Sequence, residues 1–465
     1  MCCRLVCGLF LLGMVSSSSA AFVSSFDGLT DRQVVQRDDT NEATIPIVAS
    51  FTGAVDSVEF RTVPIEGSTA TTTGWLPLAS ADGVNFLIDA TLSGGWYQLE
   101  LQALNQGVVV DTASVAHFGV GEVFVIAGQS NAANTAETSF TPNDDRVNAL
   151  ALDSLPPPTG WTWDVDPGEW RHGYDPQPIA THVFDPNTRG TSWPLLGDLL
   201  ASYYDVPVGW TNVAWNGSSV SLYADPNNPR HTRLMDAVQA FGMDGVRSVI
   251  WHQGETDVSM DPNLYAQHLN SVIDQTRAAA GYDVVWGVAL VAARDGQQMV
   301  IDEDPLVFEG ADTDTIGFEH RIGVHWAESG QIIHAQLWYE QIVPMINSAM
   351  GNQLMLGDIN NDGVVDVADL GVVGGQWGRS GNGDLNLDSV VDTGDLGILG
   401  ANWTHGIGVT GAVSTMPTPT AALGVIGLLG SLMLRRTAVG DHQHGFQNVR
   451  AWGKSRMCGS GSADL

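Results

Sequence analysis

The apolar run Gly121–Gly128 ends at a glycine and is followed by Gln129-Ser130-Asn131, a hydroxyl between two amides. A tight turn accounts for the glycine and leaves the other three unexplained. Two further apolar runs also end in reactive side chains. "VGWTNVAW" leads into Asn216, Gly217, Ser218 and Ser219, and "GVRSVIW" leads into His252, Gln253, Gly254, Glu255 and Asp257. "RIGVHWAESGQ" places His325 before a helical pattern. Together these stretches hold a hydroxyl, an imidazole, carboxylates, and amide or glycine N–H donors. Acyl transfer by a serine needs each: a base to take the proton, a carboxylate to orient the base, and N–H groups for the oxyanion. Singly, each has a plainer role, since serine caps helices, glutamate can do the same and most lone histidines are structural. Four at the ends of successive elements favour shared chemistry.

The elements that must position them alternate. "EVFVIAG", "VGWTNVAW", "GVRSVIWHQG" and "DVVWGVALVA" read as buried parallel strands, and "SWPLLGDLLASYY" and "PNLYAQHLNSVIDQTRAAAG" as helices. This predicts a doubly wound α/β sheet over residues 121–350, with ligands beyond the carboxyl ends of its strands. Residues 22–120 alternate apolar and polar side chains between Gly, Asp and Asn, which predicts a β-sandwich-like leading domain.

A chain of 465 residues is long enough for several domains. Its 19 basic and 52 acidic residues, a net charge of −33, argue against a nucleic-acid partner. The first 20 residues combine Arg4, an apolar stretch and small residues near Ala20, the pattern of a cleaved signal peptide and an exported, extracellular or cell-envelope protein. Cys2, Cys3 and Cys7 leave with it, and Cys458 alone cannot form an internal disulfide.

The pairing of "GEVFVIAGQSNAA" with "VIWHQGETD" resembles the sialate O-acetylesterase-like carbohydrate esterases of the SGNH hydrolase superfamily, over roughly residues 25–345. The resemblance implies an α/β flavodoxin-like (SGNH) domain with a parallel sheet that removes O-acetyl groups from an acetylated glycan, without a catalytic cofactor. It implies Ser130 as nucleophile through a covalent acyl-enzyme and His325 as base. The oxyanion donors would be the backbone N–H of Ser130, Gly217 and the Gln253 side chain. Gln129 and Asn131 would fix the turn, with Asn216 beside Gly217. Many SGNH enzymes carry Asp three residues before the histidine, where this chain has Ile322. Glu255 is then the expected orienting acid and Asp257 the alternative. Trp193, Trp215, Trp251 and Trp326 lie near these motifs and suit either sugar stacking or core packing. Two other readings stay open: a catalytically degenerate glycan-binding or scaffold-attached protein of the same fold, and an esterase acting on non-sugar acyl esters.

Residues 356–403 contain "DINNDGVVDVADLG" and "DLNLDSVVDTGDLG". Asp358, Asn360, Asp362, Val364, Asp366 and Asp369 occupy the oxygen-ligand positions of a twelve-residue Ca²⁺ loop, as do Asp384, Asn386, Asp388, Val390, Asp392 and Asp395 in the second copy. The pair resembles a type I dockerin, a small α-helical calcium-binding module, which implies a cohesin-type partner. Residues 415–436, with Pro-Thr-Pro, a 14-residue apolar stretch from Ala421 to Leu434, and Arg435-Arg436, resemble a PEP-CTERM-type sorting signal. That implies transient membrane retention through this hydrophobic C-terminal segment. The tail, 437–465, has no pattern of its own.

Overall fold

The computed structural model describes residues 28–51, 55–65, 68, 70–80, 82–152, 166–178, 190–242, 245–351, 357, 359, 365–379, 381, 383–385, 390–401 and 403. The expected signal segment 1–20, sorting segment 415–436 and tail 437–465 lie outside them.

Seven strands, β1 (Gln33–Gln36), β2 (Glu42–Ser50), β3 (Ser57–Pro64), β4 (Leu76–Pro77), β5 (Ala79–Ser80), β6 (Asn85–Ser93) and β7 (Gly95–Asn105), precede the 21-residue β8 (Val108–Gly128). Strands β2, β6 and β5 form one antiparallel sheet; β3, β7 and the first half of β8 form another. In β2 the side chains of Ala43, Ile45, Ile47 and Ala49 are buried, Thr44 and Pro46 between them are exposed and Val48 is half-buried, which gives the sheet one apolar face. Pro46 is tolerated because β2 is an edge strand. The apolar faces of the two sheets meet in a core that includes Ile45, Ile47, Phe60, Leu99, Leu101 and Phe118.

No linker separates this region from the next. Strand β8 alternates in burial over its first half and is wholly buried from Phe118 onward, as it passes from a two-sheet core into one covered on both faces. The expected boundary at residue 120 therefore falls inside one continuous strand.

The α/β region adds β9 (Val147–Leu150), β10 (Trp170–His172), β11 (Val208–Asn212), β12 (Ser248–His252), β13 (Trp286–Leu290) and β14 (Val307–Asp312). The strand order is β10-β9-β11-β8-β12-β13-β14, with every pair parallel except β10–β9. Helices α1 (Trp193–Tyr204), α2 (Val220–Ala224), α3 (Pro229–Gln239), α4 (Pro262–Ala280), α5 (Arg294–Glu303) and α6 (Glu328–Ala349) connect or follow them. Period-two alternation sends Val123, Val125 and Ala127 into a core shared with α3 and α4, and Phe124 and Ile126 into a core shared with α1 and α6. The sheet is doubly wound. Successive connections run from β8 to one edge and then, after β11, to the other side, so β8 sits at the topological switch point with β11 and β12 as its neighbours. Two short strands, β15 (Arg321–Ile322) and β16 (His325–Trp326), make a hairpin before α6.

In the acidic repeats, α7 (Val367–Gln376) and α8 (Thr393–Ala401) follow the two loops and share a small core of Val365, Val373, Val391 and Leu399. Among the described residues no helix is long and apolar enough to cross a membrane.

Candidate active site

The three expected strand ends converge at Gly128. Its φ of +133° favours glycine, and a Cβ there would lie 2.0 Å from the His252 carbonyl oxygen. The Gly128 carbonyl accepts from Trp215 N at 3.0 Å and from Tyr223 Oη at 2.7 Å, while Gln129 N donates to the His252 carbonyl at 2.9 Å. The ends of β8, β11 and β12 are thus joined at the turn that presents Ser130.

Ser130 opens a one-turn 3₁₀ helix, and its carbonyl accepts from Ala133 N at 2.9 Å and from Thr135 Oγ1. The residue is 8% exposed, and among the described residues Oγ has no hydrogen-bond partner. The two flanking amides hold the turn from opposite sides. Gln129 Oε1 accepts from Thr256 N at 3.1 Å, and more weakly from Gln253 Nε2 and Gly254 N. Asn131 Nδ2 donates to Glu255 Oε1 at 2.8 Å and to the Val324 carbonyl at 3.2 Å.

Gln253 sits differently from its expected role. It is fully buried, and its Nε2 faces Asp257 Oδ2 at 2.8 Å, the Ser218 carbonyl at 3.0 Å and Gln129 Oε1 at 3.3 Å. Its Oε1 accepts from Tyr265 Oη at 2.9 Å. Two amide hydrogens with three protein acceptors leave nothing aimed at an oxyanion; the side chain braces the loop carrying Gly217. Asp257 works with it, accepting from Val220 N at 2.7 Å at the start of α2. This second expected acid is therefore committed away from His325. Gly217 has a φ of +65° with open space around it, and Asn216 beside it is buried.

His325 reaches the site on the β15–β16 hairpin, whose second strand packs against the Ser130 turn. Trp326 O accepts from Glu137 N at 3.0 Å, which anchors the hairpin to the segment after the turn. Burial pushes the His325 imidazole below its ordinary 6.5, against an opposing pull from the Glu255 carboxylate, so the ring is neutral at neutral pH and competent as a base. For Glu255, burial raises the pKa, but facing His252 and the Asn131 N–H lower it further, and the net direction is down. No hydrogen bond joins Glu255 or Asp257 to His325 among the described residues. Glu255 Oε2 is buried without a hydrogen-bond partner, which leaves one carboxylate oxygen uncommitted beside the histidine loop.

Of the four tryptophans, Trp193, Trp251 and Trp326 are core residues, at most 1% exposed. Only Trp215 is partly exposed, with the Arg230 guanidinium 4.4 Å from its ring centroid. The sequence singled out Ile322 only as a missing acid and did not show that it is exposed together with Phe318 and Val324 in the segment leading to His325. It named His252 but missed its buried pairing with His334, behind Glu255. The only signal for either was the apolar–charged mixture of "GFEHRIGVHW" and a histidine recurring on α6.

Among the described residues no cluster of three or more His, Cys, Asp or Glu could hold a metal. Expected calcium ligands Asp358, Asn360, Asp362, Val364, Asn386 and Asp388 lie outside those residues. The described ones repeat a closed arrangement. Asp369 accepts from Ile359 N at 2.6 Å and Asp366 N at 2.9 Å; Asp395 accepts from Leu385 N at 2.6 Å and Asp392 N at 2.7 Å. Each closing carboxylate is folded onto the backbone N–H groups of the second and ninth positions of its own loop. Asp384 is buried at the start of the second loop, and Val390 is exposed.

No curated protein matches the chain. Among solved structures it is similar to a carbohydrate acetylesterase from Xanthomonas citri, at 19% identity over 70% of this chain and 75% of that one, with a TM-score of 0.44. It is also similar to a protein from Arabidopsis thaliana, at 11% identity over 50% of this chain and 99% of that one, with a TM-score of 0.37. Residues 120–304, which carry Ser130, Gly217, Gln253, Glu255 and Asp257 and stop short of His325, match the family described as carbohydrate esterase, sialic acid-specific acetylesterase.

Proposed function

We propose that the protein is a serine carbohydrate esterase that removes O-acetyl groups from glycans. The observation that carries this reading is the Asn131 amide, which ties the turn presenting Ser130 to Glu255 and to the loop preceding His325. The family match over residues 120–304 supports a hydrolase acting on acetyl esters.

In this reading Ser130 Oγ attacks the acetyl carbonyl as His325 takes its proton. The tetrahedral oxyanion is held by the backbone N–H of Ser130 and Gly217, the donors that remain once Gln253 is committed to the protein. Collapse breaks the bond to the sugar oxygen, which leaves with the proton from His325 and an acetyl-serine behind. Water, deprotonated by His325, then releases acetate and restores Ser130. Acetate release from acetylated sialic acids and xylan, compared with longer-chain aryl esters, tests the substrate class. Preference for the long acyl chains would contradict a glycan acetylesterase and favour a non-sugar esterase.

A second reading is a glycan-binding protein of this fold without turnover. It is favoured by the absence, among the described residues, of a carboxylate hydrogen bond to His325 and by the exposed Ile322 three residues before it. Glycan binding unchanged in Ser130→Ala, with no acetate released by wild type, would select it.

We infer that the acidic repeats bind Ca²⁺ through their closing carboxylates and the loop oxygens. We propose export from the signal-peptide pattern of the first 20 residues, and a cohesin-type partner and membrane sorting from the dockerin-like and PEP-CTERM-like resemblances.

A further inference from the structure

We propose that Arg230 is a positioning residue for the oxyanion site, fixing the turn that carries the Gly217 N–H by way of the Ser218 hydroxyl. The proposal rests on the reading that this N–H receives the oxyanion. Its structural part follows from two hydrogen bonds whose directions the chemistry of their donors fixes.

The turn runs from Trp215 to Ser218, with Gly217 in the left-handed region at a φ of +65°. Its first residue is tied to the end of β8, where Trp215 N donates to the Gly128 carbonyl at 3.0 Å. Ser218 closes the other end. It is fully buried, and its Oγ donates to the Trp215 carbonyl at 2.6 Å. Arg230 Nε lies 2.6 Å from the same Oγ. A guanidinium N–H can only donate, so the hydroxyl accepts from Arg230 and its single hydrogen is left for Trp215. Neither bond can reverse. The Ser218 carbonyl accepts from Gln253 Nε2 at 3.0 Å, so Ser218 is held at its hydroxyl by Arg230 and at its backbone by Gln253.

The arginine is itself held in place. Asn228 caps α3 by accepting from Arg230 N at 3.1 Å, and the same Oδ1 accepts from Arg230 Nη1 at 3.3 Å. The guanidinium lies 4.4 Å from the Trp215 ring centroid, over the first residue of the turn. Ser218, Asn228 and Trp215 are all neutral, and among the described residues no carboxylate pairs with Arg230. By contrast Arg37, Arg146, Arg247 and Arg277 are each ion-paired. The charge-assisted bond to Ser218 therefore has no ionic competitor.

The functional consequence falls on the transition state. An ester carbonyl is neutral when it binds and carries its full charge only at the tetrahedral stage. A Gly217 N–H that is poorly aimed therefore raises the barrier without weakening substrate binding. Without Arg230 the Ser218 hydroxyl is free to rotate and the turn loses its closure. The loss should appear in kcat, by at least about tenfold, with KM nearly unchanged.

Two measurements test this. Arg230→Gln, Ser218→Ala and the double variant, each shown to be folded, are compared with wild type for acetate release from 4-nitrophenyl acetate. Each single change should lower kcat at least about tenfold and leave KM within about twofold, and the double variant should be no slower than the worse single one, because both cut the same link. Losses that multiply in the double variant, or that appear in KM, would overturn the proposal. Should Ser218→Ala fail to fold, Arg230→Gln alone still decides through the ¹⁵N order parameter of the Gly217 N–H, which should fall below its wild-type value. An unchanged order parameter would overturn the proposal without bearing on whether the protein is an esterase. If wild type releases no acetate at all, the esterase reading fails, and the order parameter alone decides whether Arg230 fixes the turn.

Discussion

Asn131 Nδ2 lies 2.8 Å from Glu255 Oε1, so the residue after the candidate nucleophile holds the candidate acid. The same amide reaches the Val324 carbonyl, next to His325. The hydroxyl between two amides has a mechanical explanation: Gln129 clamps the turn to the loop after β12 from one side, and Asn131 does so from the other. Asn131→Ala removes a hydrogen bond to a charged, largely enclosed group, worth about 1.5–3 kcal/mol. We expect kcat/KM for acetate release to fall at least about tenfold, and an unchanged value would separate Asn131 from the site.

Gly128 is where backbone geometry is least forgiving. Gly128→Ala would place a methyl carbon 2.0 Å from the His252 carbonyl oxygen at a φ of +133°. Urea denaturation should show a loss of about 2 kcal/mol or more, since neither backbone can yield without separating β8 from β12. A stability within error of wild type would contradict the stitched arrangement of the three strand ends.

Gln253 distinguishes a brace from an oxyanion donor. Gln253→Leu strips Asp257 and the Ser218 carbonyl of a buried partner, and the expected result is a stability loss of about 2–3 kcal/mol with a matching drop in activity. A large loss of kcat at undiminished stability would restore the oxyanion role that the motif suggests.

Much of this site was legible in the sequence, for identifiable reasons. The ends of β8, β11 and β12 were readable because each is a short apolar run that stops at glycine or a polar cluster. Helices α1 and α4 matched their periodicity. The passage of β8 from sandwich to parallel sheet was hidden, because alternation up to His117 and continuous burial from Phe118 look like two elements. Strands β9 and β10, of four and three residues, carry too little pattern to register. The orientation of Gln253 depends on Tyr265 from α4 and Gln297 from α5, neither of which is near it in sequence. Likewise, nothing local says that His252 faces His334 on α6.

The pH dependence has a definite sign. His325 acts as base only when neutral, and burial holds its pKa below 6.5, opposed by Glu255. Activity should therefore rise through a midpoint below 6.5 and be on its plateau by neutral pH. An acid limb centred above that value would mean that the charge on Glu255 dominates over burial.

Calcium should act on the repeats and not on the esterase chemistry. Chelation in the full chain is expected to lower hydrogen-exchange protection of α7 and α8, while the rate of acetate release stays unchanged. Equal protection with and without Ca²⁺ would remove the cation-loop reading.

The central claim is that Ser130 is the nucleophile of an acetylesterase. The most direct test is acetate release by wild type and Ser130→Ala under the same conditions, with both proteins shown to be folded. The account predicts turnover by wild type and a loss of at least about a thousandfold in the variant. Comparable release by the two proteins would contradict it.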